Sequence, residues 1–187
     1  MSSQIWFTNG TDEIVEDYYH CLTTVFDIRA TINDYKQSCK DVLAYSKPAR
    51  VILQKLGMAV DGTLRNNVTN IFLGHAGREE LAALLSGLYS GDGYISDSTI
   101  EITTKSPSLA FAIEYILLRL GMQPRVRRVT KVATNSGFSG DYLSIALYGV
   151  ENARIYHSNV HLAHPEKEKR ISKSLEKESN PNVDLLE

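Results

Sequence analysis

One segment of the chain decides how the rest is interpreted, and it reads Leu84-Leu85-Ser86-Gly87-Leu88-Tyr89-Ser90-Gly91-Asp92-Gly93-Tyr94-Ile95. Leucines recur at helical spacing from Arg78 onward, so we predict a helix over residues 78–91. Small residues repeat every four positions along one face of this helix, at Ala83, Gly87 and Gly91. Such a stripe lets a second helix approach closely, so we predict a helix–helix interface there.

An acidic residue stands where this helix ends. Asp92 projects from the carboxyl end, where the helix dipole makes a carboxylate locally unfavourable. A bound cation would offset that cost. The alternative is that Gly91-Asp92-Gly93 is simply a helix cap followed by a turn. The smooth stripe, the apolar helix and a following strand pair occur together, and this combination favours the functional interpretation.

The flanking sequence predicts a mixture of helices and short strands. On the C-terminal side, strands at Tyr94-Ile95 and 99–104 precede a helix capped by Ser106 and a strand pair over 124–132 and 141–148. A short helix is then predicted over 150–157. On the N-terminal side, we predict a helix over 11–26, a strand over 38–45, and a helix that begins after Ser46 and stops at Gly57.

The order of these elements indicates an internal repeat. A strand that runs into a helix cap occurs at Ile5 to Thr11, and again 95 positions later at Ile100 to Ser106. Chance similarity is the alternative, because a strand followed by a capped helix is common. With this offset the counterpart of Asp92 falls before Met1, so the first repeat lacks its opening helix and the start of its first strand.

These features resemble the LAGLIDADG homing endonucleases, in particular the endonuclease domain found inside inteins. The resemblance rests on residues 84–95, on the strand entering Ser106, and on Leu118-Arg119-Leu120-Gly121, His164-Pro165-Glu166-Lys167 and Asn180-Pro181-Asn182-Val183-Asp184. It implies an α+β fold of αββαββα repeats with saddle-shaped antiparallel sheets, here one complete repeat preceded by a partial one. We predict a partial repeat over 1–60, a linker over 61–77, a complete repeat over 78–160 and a charged tail over 161–187.

The resemblance also implies a function, namely site-specific cleavage of double-stranded DNA by hydrolysis with Mg²⁺ or another divalent cation such as Mn²⁺. Asp92 matches the metal-binding acid, and the Gly91 carbonyl matches an auxiliary ligand. Polar residues near the attacking water correspond to Thr104 and Asn9. The basic residue that stabilises the transition state corresponds to Lys105 and to Lys47, although Lys47 could equally be a solvated residue before Pro48.

The predicted DNA-contacting surface is the outer face of the second sheet. The chain carries a net charge of −2, which excludes a uniformly basic coat, yet no acidic residue occurs between Glu114 and Asp141. Strand alternation turns a set of polar side chains outward, and the alternative is that these are ordinary solvated positions. The set comprises Thr99, Glu101, Thr103, Arg125, Arg127, Lys131, Tyr142, Ser144 and Tyr148.

One motif helix supplies only half an active site, so several arrangements stay open. Two chains could form a homodimer through the 78–91 helix, or a complementing N-terminal fragment could supply the missing helix. The chain could also be a degenerate remnant. The competing functional class is a non-catalytic DNA-binding module on the same fold, and a chance similarity to the motif is the third alternative.

Cysteine content and hydropathy exclude other classes of protein. The two cysteines, Cys21 and Cys39, form no CxxC pair, which disfavours a disulfide framework and a structural zinc site. The start of the chain lacks a basic segment followed by an apolar one, and the apolar centre at 81–91 is too short to span a bilayer. We therefore expect a cytoplasmic protein with no membrane partner.

Overall fold

The computed structural model describes residues 3–35, 38–57, 68–96, 98–132 and 139–176. The chain divides into two compact units, Met1–Ala76 and Gly77–Glu187, and each is described by itself. Both units combine α-helices with an antiparallel sheet, which confirms the α+β class. Within the described residues, no helix has both the length and the hydropathy needed to cross a membrane.

The first unit packs two of its three described helices on one face of a three-stranded sheet whose order is β1-β3-β2. Its elements are β1 (Gln4–Asn9), α1 (Asp12–Phe26), β2 (Ala30–Tyr35), β3 (Cys39–Tyr45), α2 (Lys47–Lys55) and α3 (Asn70–His75). The core between sheet and helices contains Ile5, Val15, Leu22, Val42, Ala44, Ala49 and Leu53. Burial of these apolar side chains is the main driving force for the folding of this unit.

The second unit contains a four-stranded antiparallel sheet whose order is β4-β5-β7-β6. Its elements are α4 (Arg78–Asp92), β4 (Tyr94–Ile95), β5 (Thr99–Thr104), α5 (Pro107–Arg119), β6 (Arg125–Val132), β7 (Ser139–Tyr148), α6 (Val150–Asn159) and α7 (Pro165–Ser174). Apolar residues of α4 and α5, including Leu85 and Ile113, are fully buried, as is Ile145 of β7. The inner face of the sheet therefore forms the core, and the outer face carries polar side chains.

The two units repeat one order of elements, and the first copy is incomplete. From α4 to α6 the second unit runs αββαββα, whereas the first unit runs βαββα up to α2. Strand order β1-β3-β2 corresponds to β5-β7-β6, and β4 has no counterpart among the strands of the first unit. The predicted arrangement of one complete repeat after a partial one is therefore confirmed.

Equivalent serines begin the equivalent helices α2 and α5. The Ser46 hydroxyl accepts a hydrogen bond from the Ala49 amide at 3.3 Å, and the Ser106 hydroxyl accepts one from the Leu109 amide at 3.3 Å. In each helix a proline occupies the first turn, where its missing N–H group costs nothing. Local sequence therefore fixes where both helices begin.

Two elements lie where the sequence analysis predicted none. The edge strand β2 exposes most of its side chains, so its sequence lacks the alternation of apolar and polar residues that identifies a strand. Helix α3 falls inside the predicted linker over 61–77. It is capped by Thr69, whose hydroxyl accepts a hydrogen bond from the Phe72 amide. Residues 61–67 of that linker lie outside the described residues.

The predicted charged tail over 161–187 begins with an ordered helix. α7 packs against α6 and β4, and it buries Ile171. Most of its other side chains are charged or polar and lie toward solvent, so one buried apolar residue does not produce a strong periodic signal. The segment from 177 onward, including the predicted motif at 180–184, lies outside the described residues. The domain boundaries stay a prediction.

Candidate active site and nucleic-acid interface

The carboxyl end of α4 is shaped by the glycine that follows it. α4 ends at Asp92, one residue later than predicted, and the Asp92 side chain is exposed. Gly93 is buried, and its amide donates a hydrogen bond to the Tyr89 carbonyl at 3.1 Å. A Cβ atom at Gly93 would lie 2.6 Å from that carbonyl oxygen, a distance that no side chain tolerates. Only glycine therefore lets the chain turn so sharply from α4 into β4.

A lysine from α7 occupies the negative end of α4. The Lys167 ammonium donates hydrogen bonds to the carbonyls of Tyr89, Ser90 and Gly91 at 3.0, 2.7 and 3.0 Å. These carbonyls are among the last in the helix, which lack partners within it and carry the negative pole of its dipole. Partial burial lowers the pKa of Lys167, and the negative charge of Asp92 acts in the opposite direction. Lys167 thus places a positive charge beside the predicted metal ligand.

Further hydrogen bonds hold the segment that carries Lys167 against α4 and β4. They join the Ser86 hydroxyl to the His161 carbonyl, the Ala163 amide to the Ser90 hydroxyl at 2.9 Å, and the Arg170 guanidinium to the Ile95 carbonyl at 3.2 Å. These contacts fix the backbone on both sides of Lys167. No local pattern indicates the contact between Lys167 and Gly91, because Lys167 lies 76 positions after Gly91 within a run of charged residues.

Two buried tyrosines pack against each other near this end of α4. Tyr89 and Tyr156 are fully buried, and their rings meet edge to face with centroids 5.4 Å apart. Neither hydroxyl has a hydrogen-bond partner among the described residues, and burial raises the pKa of both. The pair therefore stays uncharged at neutral pH and supports the helix end by packing alone.

The donors at this helix end are of the class that Mg²⁺ prefers, but they are few. Asp92 offers an exposed carboxylate, and the Gly91 carbonyl oxygen already accepts a hydrogen bond from Lys167. Mg²⁺ keeps several waters and takes one or two carboxylates, so Asp92 suits it as one ligand. No group of three or more His, Cys, Asp or Glu side chains within the described parts of the chain could hold a metal ion.

The two predicted polar residues near the attacking water share one structural role. The Thr104 hydroxyl accepts a hydrogen bond from the Ser106 amide at 3.1 Å, and the side-chain amide oxygen Oδ1 of Asn9 accepts one from the Thr11 backbone amide at 2.9 Å. In both units the side chain at the end of a strand therefore organises the turn into the next helix. Asn9 belongs to the first unit and Thr104 to the second, and their catalytic roles stay predictions.

The two predicted basic residues lie in different settings. The Lys105 ammonium stands 5.0 Å from the ring centroid of Tyr142, on the outer face of the second sheet. Lys47 is the exposed first residue of α2 in the first unit. Lys105 thus belongs to the same unit as Asp92 and to the same surface as the predicted DNA contacts.

The register of the second sheet places the predicted DNA contacts on one face. Glu101 faces Ala146, which faces Arg125, and Thr103 faces Ser144, which faces Arg127. Because directly paired residues project to the same side of a sheet, this face gathers side chains from three strands. Arg125, Arg127 and Lys131 of β6 are all exposed.

Aromatic and polar partners organise the cations of this face. The Arg127 guanidinium donates a hydrogen bond to the Tyr148 hydroxyl at 2.8 Å, and the guanidinium carbons of Arg125 and Arg127 lie 5.8 and 6.0 Å from its ring centroid. The Lys131 ammonium contacts the Thr103 hydroxyl at 3.3 Å and the Glu101 carboxylate at 3.7 Å. Among the described residues, this face therefore carries four cationic side chains, counting Lys105, and one carboxylate, that of Glu101.

Ser144 is the exception among the predicted contacts, and its expected exposure is wrong. The side chain projects to the outer face but is fully buried, and its hydroxyl has no partner in the part of the chain that the structure describes. β7 is an interior strand, and Ser144 lies between Thr103 and Arg127, so longer side chains on both sides surround this short one. Strand alternation predicts the face of a residue but not its accessibility.

Comparison with known proteins agrees with the fold and with the motif helix. The LAGLIDADG-like domain family matches residues 79–161, which run from the first turn of α4 to just beyond α6. This segment is a LAGLIDADG-like domain. The match begins in the motif helix and contains both strand pairs of the second unit.

Solved structures show that the LAGLIDADG fold extends over most of the chain. A variant of the homing endonuclease I-DmoI is 12% identical, with a TM-score of 0.60, over 84% of this chain and 79% of that one. I-DmoI in complex with DNA and Mn is 15% identical, with a TM-score of 0.56, over 85% and 82%. Full-length DUF199/WhiA from Thermatoga maritima is 10% identical, with a TM-score of 0.57, over 96% and 56%.

Two curated relatives from Methanocaldococcus jannaschii are much longer than this chain. The replication factor C small subunit is 26% identical over 99% of the chain, but the match spans 10% of that protein. The ATP-dependent DNA helicase Hel308 is 27% identical over 68% of the chain, and the match spans 11% of that protein. The chain thus corresponds to about a tenth of the length of either relative.

Proposed function

We propose that this chain is part of an intein-associated LAGLIDADG endonuclease that binds double-stranded DNA and hydrolyses it with a divalent metal ion. One observation carries the proposal: the second unit presents an exposed acid, Asp92, at the end of its motif helix and a cationic sheet face within the same domain. A family match alone would support the fold without the chemistry.

The outer face of the second sheet suits a DNA duplex. Its arginines can form bidentate hydrogen bonds with guanine edges in the major groove, or contact phosphates. Arg127 is held by Tyr148, and Lys131 is held by Thr103 and Glu101, so these side chains are ordered before DNA arrives. Ordering in advance reduces the entropy lost on binding.

The proposed chemistry assigns a task to each of four residues of the second unit. Asp92 and the Gly91 carbonyl would hold the metal ion, which when bound activates water and stabilises the leaving oxygen. Lys105, with its ammonium over Tyr142, would stabilise the negative charge that develops on the phosphate. Thr104 would keep the end of β5 and the start of α5 in register through its bond to Ser106.

A second motif helix is needed to complete the site, and the exposed face of α4 supports this requirement. Ala83, Gly87 and Gly91 are exposed within the second unit, and a Cβ atom at either glycine would meet nothing within 4 Å. This face can therefore accept a helix at short distance. The helix would come from a second copy of the chain or from a segment that precedes it.

The curated relatives support an origin inside inteins. A replication factor and a helicase have different activities, yet each matches this chain over about a tenth of its length. A segment shared by two such proteins is best explained as an insertion common to both. The matched part would then belong to the inserted element and not to the replication or helicase machinery.

A non-catalytic DNA-binding module is the second candidate, favoured by the similarity to WhiA. That protein has the same fold over 96% of this chain, and its name, unlike that of I-DmoI, does not specify an endonuclease. Lys167 also donates a hydrogen bond to the Gly91 carbonyl, so this oxygen does not need a metal ion as its partner. The exposed carboxylate of Asp92 argues against this candidate, because DNA binding alone does not need an acid there.

Cleavage of a pooled library of duplex DNA sites in Mg²⁺ tests the proposal. Three proteins are compared: the parent chain, Asp92→Asn, and Asp17→Asn, which makes the same chemical change at an exposed position on α1. We expect double-strand cuts from the parent and from Asp17→Asn, and loss of at least about a hundredfold in rate for Asp92→Asn.

Other outcomes separate the candidates. If all three proteins retain duplex DNA in a salt-sensitive manner but none cuts, even with an added upstream motif helix, the chain is a binding module. If none of them retains DNA, both candidates are wrong. The oligomeric state, recorded in the same samples, shows whether a second copy supplies the missing helix.

A further inference from the structure

Lys167 is engaged at the position where the proposed metal ion would need an oxygen donor. Its ammonium lies within hydrogen-bond distance of three backbone carbonyls, including that of Gly91, the proposed auxiliary ligand. An ammonium has three N–H donors, so these three bonds use its full capacity. The ammonium of Lys167 therefore engages the carbonyl oxygens at the end of α4 as a bound cation would.

We propose that Lys167 is an internal counter-cation that competes with a divalent metal ion for the end of α4. This inference rests on the proposed function, because it concerns the same metal position. Lys167 keeps the Gly91 carbonyl engaged, and its charge repels a second cation beside Asp92. The consequence is that the site binds a divalent metal ion more weakly than it would without Lys167. When no metal ion is bound, the ammonium of Lys167 balances the negative charge at the end of α4.

The surroundings of Lys167 show that the contact is built into the fold. The residue is half-buried, and α7 is tied to the motif helix and to β4 by the bonds of Ala163 to Ser90 and of Arg170 to Ile95. A flexible surface lysine would leave a helix end at little cost. Lys167 cannot do so without removing a hydrogen bond from each of three carbonyls at the end of α4, of which, among the described residues, only that of Tyr89 has a second donor, the Gly93 amide.

The electrostatic setting supports competition over simple capping. Asp92 exerts a favourable charge interaction on Lys167, so the ammonium lies within the field of the same carboxylate that would bind the metal. Like charges close together repel, and the repulsion is stronger at a protein surface than in bulk water. A divalent ion at Asp92 therefore has to overcome this repulsion or displace the ammonium from Gly91.

The test is the affinity of the folded chain for Mn²⁺ without DNA, measured by titration calorimetry and by the electron paramagnetic resonance signal of free Mn²⁺. Lys167→Met and Lys167→Gln remove the charge, and Lys167→Arg retains it. Lys169→Met removes an equal charge from an exposed position of the same helix. Circular dichroism confirms folding, and either neutral variant that folds is sufficient.

We expect the neutral variants to bind Mn²⁺ at least about tenfold more tightly than the parent, whereas Lys167→Arg and Lys169→Met match the parent. Adding Asp92→Asn to a neutral variant should abolish the gain. Unchanged or weaker binding in both neutral variants, or no binding in any protein, would overturn the inference. If neither neutral variant folds, Lys167 is a structural cap and the inference is also wrong. Cleavage and DNA retention report on the proposed function separately.

Discussion

The absence of a side chain at Gly93 determines the geometry at the carboxyl end of α4. Gly93 has an ordinary backbone conformation, so its requirement for glycine is steric: a Cβ atom would lie 2.6 Å from the Tyr89 carbonyl oxygen and 2.8 Å from the Tyr89 Cα. Gly91, two residues earlier, has open space at the same position. The two glycines of the motif therefore serve different purposes, Gly93 for folding and Gly91 for a close neighbour.

This difference gives a prediction for two matched variants. Gly93→Ala should lower the free energy of unfolding by about 2 kcal/mol or more, because rigid backbone atoms must move. Gly91→Ala should leave it unchanged or raise it slightly, since alanine favours the helix and nothing obstructs it. Urea denaturation measures both values. Equal effects of the two substitutions would show that the described contact between Gly93 and Tyr89 is not present.

At the scale of elements, the motif helix α4 combines a firmly packed face with an open one. Leu81, Leu85 and Tyr89 are fully buried in the second unit, whereas the face with Gly87 is exposed. An exposed glycine in a helix interior lowers helix stability relative to alanine. Its presence on this face fits a requirement for close approach by another helix.

We therefore predict opposite effects of Gly87 substitutions on folding and on assembly. Gly87→Ala should raise the free energy of unfolding of the chain alone by about 0.5–1 kcal/mol. Gly87→Leu should leave folding intact and block association with a second motif helix, as analytical ultracentrifugation would show. Gly121→Ala is the contrasting control. It should lower the free energy of unfolding, because Gly121 has a φ of 93° and alanine there is strained. Normal association of Gly87→Leu would exclude this face as the interface.

Elements were predictable where local chemistry defines them. The start of α2 and that of α5 are predictable because a capping serine, Ser46 or Ser106, is followed by a proline in the first turn. The spacing of the leucines predicts α4. β2 was missed because an exposed edge strand needs no apolar alternation. The contact of Lys167 with the end of α4 depends on tertiary packing across 76 positions, which no local pattern encodes.

At the scale of the whole molecule, charge is distributed unevenly. The chain is slightly acidic, with a net charge of −2, yet Arg125, Arg127, Lys131 and Lys105 meet on one face of the second sheet. The face was predictable from strand alternation and from the acid-free stretch between Glu114 and Asp141. The burial of Ser144 was not, because accessibility depends on the neighbours in three strands.

The most direct test of the account is duplex DNA binding measured against salt concentration for the double variant Arg125→Ala/Arg127→Ala. The control is Arg154→Ala, which removes an exposed arginine of α6 that pairs with Glu151 and does not belong to the sheet. We predict that the double variant loses at least about tenfold in affinity and about two units of the salt slope, because two cations leave the interface. Arg154→Ala should bind like the parent. Parental affinity and salt dependence in the double variant would contradict the claim that this sheet face binds DNA.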